Sequence, residues 1–345
     1  MKEMLQELID NDRKEDSVRR ALLSRDEDQK ELFRLARERR REFFPHNEVE
    51  ARSVIEISNV CKQRCRFCGM NASSKRKRYI ISDKELVEIT GNIYSHGRRV
   101  VLLQSGENSS RKYVDFMSRC LEVIKKKYRD LTTILCLGEL GPGQYRQLRE
   151  AGGDRYILKF ETSNPVLYGK IKPGDSLESR TECLHSLIEL GFGVGSGNII
   201  GLPGQTMQDI VNDLLFLSEF DLMMTSTTVF IPGEDSDYRA EPVGDLDTVL
   251  NFMALMRILY PKVLIPSTSS LEKAKKGGQY LGLEAGANAV TVHDGTPAEM
   301  KKLFPIYSVN RFTPNEEYMR DIVAKARLKF PQKEMPGMMD RKMIA

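Results

Sequence analysis

SVIEISNVCKQRCRFCGM, residues 53–70, runs an apolar strand pattern, SVIEIS, straight into three cysteines at i, i+4 and i+7: Cys61, Cys65 and Cys68. Whether that strand is the first of a closed barrel decides how the rest of the chain is read. Seven more strand patterns follow it: RVVLLQ (99–104), TTILCL (132–137), RYILKFE (155–161), VGSGNII (194–200), TSTTVFI (225–231), KVLIPS (262–267) and NAVTV (288–292). Helical patterns fill the gaps at 82–96, 111–127, 142–151, 176–190, 206–219, 245–259, about 272–282, and from 297 onward. Short apolar strands alternating with helices imply parallel pairing through right-handed crossovers. Eight such units predict an α/β fold, a (β/α)8 TIM-type barrel. An open doubly wound sheet is the runner-up.

Before the first strand, residues 1–46 carry apolar positions at helical spacing up to Pro45 and read as an N-terminal helical extension. The barrel is assigned to 47–310, and 311–345 to a C-terminal helix and tail. RERRR (37–41) sits in a helical pattern and reads as a solvated helix face. A length of 345 residues fits one barrel, and 40% apolar residues supply a large core. A net charge of +4 is too small for an obligate nucleic-acid binder. The charged N-terminus has no apolar h-region, and no window approaches the roughly 18 apolar residues of a membrane span. The expected location is cytoplasmic, with neither nucleic acid nor membrane as partner.

Six cysteines in a chain of this kind do not suggest a disulfide framework. Cys120, Cys136 and Cys183 are dispersed in helix or strand patterns and read as buried inert thiols. The tight trio reads as a metal or redox site. A structural zinc takes four ligands, and the nearest histidines are His46 and His96. An iron–sulfur cube is usually held by four thiolates. Three on one loop hold three irons and leave the fourth open to a chelating ligand. Phe67, inside the trio, gives the loop a ring to set beside a cofactor. Taken alone the spacing also fits a zinc half-site or chance; its place directly after barrel strand one turns the reading toward a cluster. Barrel active sites lie at the C-terminal ends of the strands. That rule also selects Gln104–Glu107, Gly138–Glu139, Lys159, Glu161, Asn198 before GLPGQT (201–206), Phe230–Ile231, Ser267–Ser269 and His293–Asp294.

The arrangement resembles the radical SAM superfamily, and the segment from about 50 to 310 resembles its biotin synthase-like subgroup. Within that subgroup the chain is most similar to the HydE family of FeFe-hydrogenase maturases. The stretches that carry the likeness include IEISNVCKQRCRFCGM, VVLLQSGE, CLGEL, DRYILKFETSNPVLYGKIKP, SLESR, GSGNIIGLPGQT, FIPGEDS, LIPSTSS and GANAVTV. Methylornithine synthases share the architecture and match these stretches less well. The resemblance implies an enzyme with one 4Fe-4S cluster on Cys61, Cys65 and Cys68; no cysteine follows Cys183 to hold a second. S-adenosylmethionine (SAM) would chelate the open iron and be cleaved reductively to a 5′-deoxyadenosyl radical.

The SAM contacts implied are Phe67, Gln104, Ser105, Gly106, Glu161 and Arg180. Gly106 permits close backbone approach to the methionine ammonium. Gln104 bonds the ribose or the methionine group, and Glu161 accepts from ribose hydroxyls or the ammonium. Arg180 pairs with the carboxylate as a fork; a surface salt bridge with Glu178 or Glu182 is the other reading. GLPGQT is either a bare tight turn or a wall for the adenine. The substrate positions implied are Arg52, Lys159, Thr268 and Ser269, two cations and two hydroxyls suited to a small anion. Arg52 paired with Glu56 is the alternative. For a maturase the anion is an organometallic iron complex on the way to a diiron precursor. The partners are then a low-potential electron donor, such as ferredoxin or flavodoxin, and sister maturases. Lys159 stands where the family pattern has arginine, which keeps the charge but loses the bidentate fork. NASSKRKRY and VHDGTP depart from the pattern too. A related biotin synthase- or methylornithine synthase-like enzyme, acting on an amino acid or other small anion, is the alternative function.

Overall fold

The structure, a computed structural model, describes residues 15–306, 314 and 316–331; the beginning of the expected N-terminal extension and the end of the expected tail lie outside them. Helices α1 (Glu15–Leu22) and α2 (Asp26–Phe43) lead into strand β1 (Glu50–Ser58). Then come α3 (Asp83–Ser95), β2 (Val100–Ser105), α4 (Arg111–Lys127), β3 (Thr132–Cys136), α5 (Pro142–Glu150) and β4 (Arg155–Ile157). Two helices, α6 (Pro165–Ile171) and α7 (Leu177–Glu189), precede β5 (Gly193–Ile200), α8 (Met207–Phe216) and β6 (Met224–Val229). The series continues with α9 (Leu246–Leu259), β7 (Pro266–Ser267), α10 (Ser269–Ala274), α11 (Gly278–Glu284), β8 (Ala289–Val292), α12 (Ala298–Lys301) and α13 (Glu316–Lys325).

All eight strands pair in parallel in the order β6-β5-β4-β3-β2-β1-β8-β7. A parallel bridge from Met224 to Leu264 joins the two ends, with Thr225 N donating to Leu264 O at 2.9 Å and Leu264 N to Met223 O at 2.9 Å. The sheet is therefore a barrel. Side chains alternate along each strand. Ile55 and Ile57 face the helix layer with Leu86, Val101 and Leu103, while Arg52, Val54, Leu102 and Gln104 face a central cavity.

Four expectations about elements need correction. The fourth strand ends at Ile157, not at 161: Leu158 N still donates to Gly195 O at 2.9 Å, then regular pairing lapses before Glu161, whose backbone is left-handed (φ 63). The chain rejoins the sheet there through a single Glu161–Asn198 bridge. The seventh strand shrinks to two residues: Pro266 has no N–H to offer, and Asn288 Oδ1 takes the Ile265 N–H at 2.8 Å. The helix expected at 272–282 is two helices, parted at Gly277 in the left-handed region (φ 83). Helix α6 was not expected, although Asn164 caps the Val166 and Leu167 N–H groups and Pro165 opens the first turn.

The arginine run is only in part a solvated face: Glu38 and Arg41 are exposed. Arg40 is buried, and its Nη1 donates to Leu283 O at 2.6 Å and Ala287 O at 2.7 Å, carbonyls at the C-terminal end of α11. Burial lowers its pKa to about 10. Helices α1 and α2 pack Val18, Leu22, Leu32, Phe33 and Ala36 into one core with Val249, Met253 and Met256 of α9. Asn251 on α9 ties the turn between them, donating to Leu22 O at 3.0 Å and Ser24 O at 2.9 Å. Among the described residues no helix is long and apolar enough to cross a membrane.

Candidate functional site

A cavity of about 370 Å³ opens among the C-terminal ends of the strands. The structure brings the residues expected to hold the cluster, SAM and substrate into its wall: Cys61, Cys65, Phe67, Cys68, Gln104, Ser105, Gly106, Glu161, Arg180, Arg52, Lys159, Thr268 and Ser269; of the other strand-end positions, Glu139, Asn198, Ser267 and Asp294 do not line it. Neither His46 nor His96 lines it.

The cysteine loop is held from several sides. Lys62 N donates to Glu107 O at 2.9 Å, Arg66 N to Ile171 O at 2.9 Å and Gly69 N to Ile306 O at 3.2 Å. Arg78, from the unexpected NASSKRKRY segment, braces it from below by donating to the carbonyls of Asn59, Met70, Asn71 and Ser74. Gly106 is fixed by contact with this loop. A Cβ there would meet Val60 O at 2.5 Å and Cys61 Cβ at 2.8 Å, so the end of β2 passes directly beneath the first cysteine. The next residue, Glu107, aims its N–H at Cys61 Sγ from 3.4 Å.

That donor set fits an iron–sulfur group: three thiols share one cavity, with a backbone N–H directed at a sulfur. Burial pushes the Cys61 and Cys65 thiols up and that of Cys68 up to about 12. Ligation therefore displaces a proton from each. Among the described residues no three His, Cys, Asp or Glu side chains close on a single metal ion. Of the other cysteines, Cys120 is buried as expected. Cys136 is not an inert core thiol: it ends β3 in the cavity wall, its pKa raised to about 11 by burial. Cys183 is half-buried, its Sγ 3.8 Å from Leu140 O.

Beside the trio lies a buried ionic cluster. Arg180 does not reach Glu178 or Glu182 on the surface. Its Nε lies 2.7 Å from Glu139 and donates to Tyr168 Oη at 3.0 Å, while Nη2 makes only long approaches to Asp175 (3.6 Å) and Glu107 (3.9 Å). Burial pulls the guanidinium down, but Tyr168, Glu139 and Glu107 outweigh it and raise its pKa. Lys172, missed from the sequence, sits 2.6 Å from Asp175 and donates to Tyr168 Oη at 3.0 Å. Burial would raise the Asp175 carboxyl, yet Lys172 and Arg180 hold it below its ordinary value. Burial raises Glu139.

Deeper in the barrel, Arg52 pairs with Glu50, not Glu56, at 2.6 Å, and the other Glu50 oxygen takes Arg155 Nη1 at 2.8 Å. Lys159 donates to Thr228 Oγ1 at 3.0 Å and lies 3.0 Å from Glu161 Oε2. Thr268 Oγ1 is 2.8 Å from Ser270 Oγ, and Ser269 Oγ is 3.2 Å from His293 Nε2. GLPGQT stays clear of the cavity. Gly201 and Gly204 take positive φ (94 and 84), and Gln205 Oε1 accepts the Gly201 N–H at 2.8 Å. A tight turn accounts for it. Lys172, Thr228 and Cys136 were not singled out, though Cys136 is the last residue of a strand and the strand-end rule selects that place.

The signature of the Radical SAM superfamily matches residues 55–217. The FeFe hydrogenase maturase subunit HydE of Thermotoga maritima is 40% identical over 278 residues, 80% of this chain and 78% of that protein. The chain belongs to the radical SAM superfamily. More distant relatives of this radical SAM enzyme include 3-methylornithine synthase of Methanosarcina acetivorans, 27% identical over 83% of this chain and 81% of that protein. The crystal structure of methylornithine synthase superposes with a TM-score of 0.84 over 99% of this chain and 100% of that one, at 22% identity, and speaks for the fold alone. Membership gives the radical SAM enzyme an iron–sulfur cluster and SAM as cofactors.

Proposed function

We propose that this radical SAM enzyme is a HydE-like maturase that helps assemble the diiron precursor of the FeFe-hydrogenase active site. The 40% identity to HydE over 80% of the chain carries the reading. When bound, a single reduced 4Fe-4S cluster supplies the electron that splits SAM into methionine and a 5′-deoxyadenosyl radical. Cys61, Cys65 and Cys68 hold three of its irons. Gly106 lets the β2 end lie against the methionine ammonium, and Gln104 with Glu161 takes the ribose side. Arg180, fixed by Glu139 and Tyr168, keeps Nη2 for the methionine carboxylate. In the barrel Lys159, Arg52, Thr268 and Ser269 receive a small anionic iron complex and shield it from water. A ferredoxin or flavodoxin in the cytoplasm delivers the electron, and sister maturases supply the complex. The barrel at 47–310 does the chemistry, between flanking segments 1–46 and 311–345.

Complementation of a strain lacking HydE tests this: restored hydrogenase activity supports it. A second reading, an amino acid or other small anion as substrate, is favoured by Lys159, a point charge where bidentate recognition would need arginine. Unrestored hydrogenase with intact SAM cleavage decides for it.

A further inference from the structure

The cavity wall contains a chain of three polar side chains from three separate elements. Glu56, an inward position near the end of β1, is fully buried. Its Oε1 lies 3.4 Å from Nδ1 of His293, just past the end of β8. Nε2 of the same ring lies 3.2 Å from Ser269 Oγ at the start of α10. Ser269 and His293 line the cavity and Glu56 does not, so the chain runs from a buried carboxyl to an accessible hydroxyl.

The fold holds each member in place. Thr296 Oγ1 accepts the Glu56 N–H at 2.9 Å, and Tyr79 Oη donates to Glu56 O at 3.0 Å. Gly295 folds the HDGT turn back onto β1, its N donating to Val54 O at 3.2 Å, where a Cβ would meet Ile55 Cγ1 at 2.6 Å. The neighbouring Asp294 faces elsewhere, bonded to Ser53 at 3.1 Å and 4.0 Å from Arg98. A histidine needed only for packing would not require a carboxyl behind it and a hydroxyl before it.

We propose that His293 is the proton-transfer residue of this cavity, oriented by Glu56, and that the substrate presents a thiol, hydroxyl or ammonium group beside Ser269. The inference rests on the cavity being the reaction chamber. The Glu56 carboxyl, 3.4 Å from Nδ1 and not yet hydrogen-bonded to it, favours that nitrogen as the proton's place and leaves Nε2 to accept. The substrate X–H bond gives its proton to Nε2, and the electron pair stays on X. The ring becomes an imidazolium balanced by Glu56, and the reverse step returns the proton. No electron is gained or lost overall.

Histidine-selective 15N NMR of the full-length, cluster-loaded protein tests this, with the His293 signals assigned by their loss in His293→Gln. The neutral ring is expected to carry its proton on Nδ1. In Glu56→Gln the proton should lose its preference for Nδ1 and distribute over both ring nitrogens. Mercaptoacetate, a small carboxylate bearing one protic sulfur, should raise the protonated fraction at a given pH. Ser269→Ala, which removes only a hydroxyl, should move the Nε2 resonance. A proton on Nε2, a tautomer indifferent to Glu56→Gln, or a ring indifferent to mercaptoacetate overturns the proposal. SAM cleavage by the same samples reports separately on the cluster.

Discussion

A methyl group at position 106 has nowhere to go, since it would sit 2.5 Å from Val60 O and 2.8 Å from Cys61 Cβ. Gly106→Ala therefore pushes on Cys61, the first of the proposed cluster ligands, and not only on the proposed cofactor contact. It is expected to lower iron and sulfide incorporation about 10-fold or more, with far-UV circular dichroism unchanged; wild-type loading would show that the loop yields freely. Cys65→Ala should abolish reductive SAM cleavage outright, measured as 5′-deoxyadenosine, and residual turnover at the wild-type rate would remove the cysteine from the site. At this scale much of the site was legible, because the trio and the strand ends both mark the same face of a barrel. Lys172 was not, since nothing in its local sequence says that Tyr168 and Asp175 will enclose it. His293 stood at a strand end, but its partners Glu56 and Ser269 come from elements far apart in sequence and meet only when the barrel closes.

Between elements, the deepest tie is Glu50 on β1, which joins Arg52 on its own strand to Arg155 on β4 across the barrel interior. Burial alone would raise this carboxyl; the two arginines outweigh it and hold its pKa at about 2, below its ordinary 4.5. A depressed acid stabilises the fold in full above about pH 4.5 and loses that contribution as pH falls toward 2. The shift corresponds to roughly 3 kcal/mol. Glu50→Gln should cost about 3–5 kcal/mol at pH 7 by stranding two buried cations. The gap to wild type should narrow by pH 3.5 in urea titrations; a gap independent of pH would contradict this. The eight strands were legible from periodicity, but helix α6 and the split of the 272–282 helix were not, and nor were lengths. Propensity extends RYILKFE through 161, whereas regular pairing stops at Ile157 and resumes only as the Glu161–Asn198 bridge, with Glu161 in a left-handed backbone beside Lys159.

For the whole molecule, the first described helices belong to the barrel's core and not to an appendage. Phe33 and Leu32 pack with Val249 and Met253, so Phe33→Ala should cost about 3–5 kcal/mol in equilibrium unfolding. A loss under about 1 kcal/mol would mean that the extension and barrel are energetically separate. Their union was not legible, because amphipathic helices state that they need a partner and not which one. Closure of eight strands was legible from their number, and closure is what sets three thiols, a buried ionic cluster and the side chains of Arg52, Lys159, Thr268 and Ser269 around one cavity. In the proposed function the chemistry turns on an iron left without a protein sulfur. Electron paramagnetic resonance of the anaerobically reconstituted, dithionite-reduced protein with and without SAM examines it. The signal should change on adding SAM and carry coupling to 15N or 13C placed in the methionine amino or carboxylate group; a spectrum identical with and without SAM would contradict an open iron that binds it.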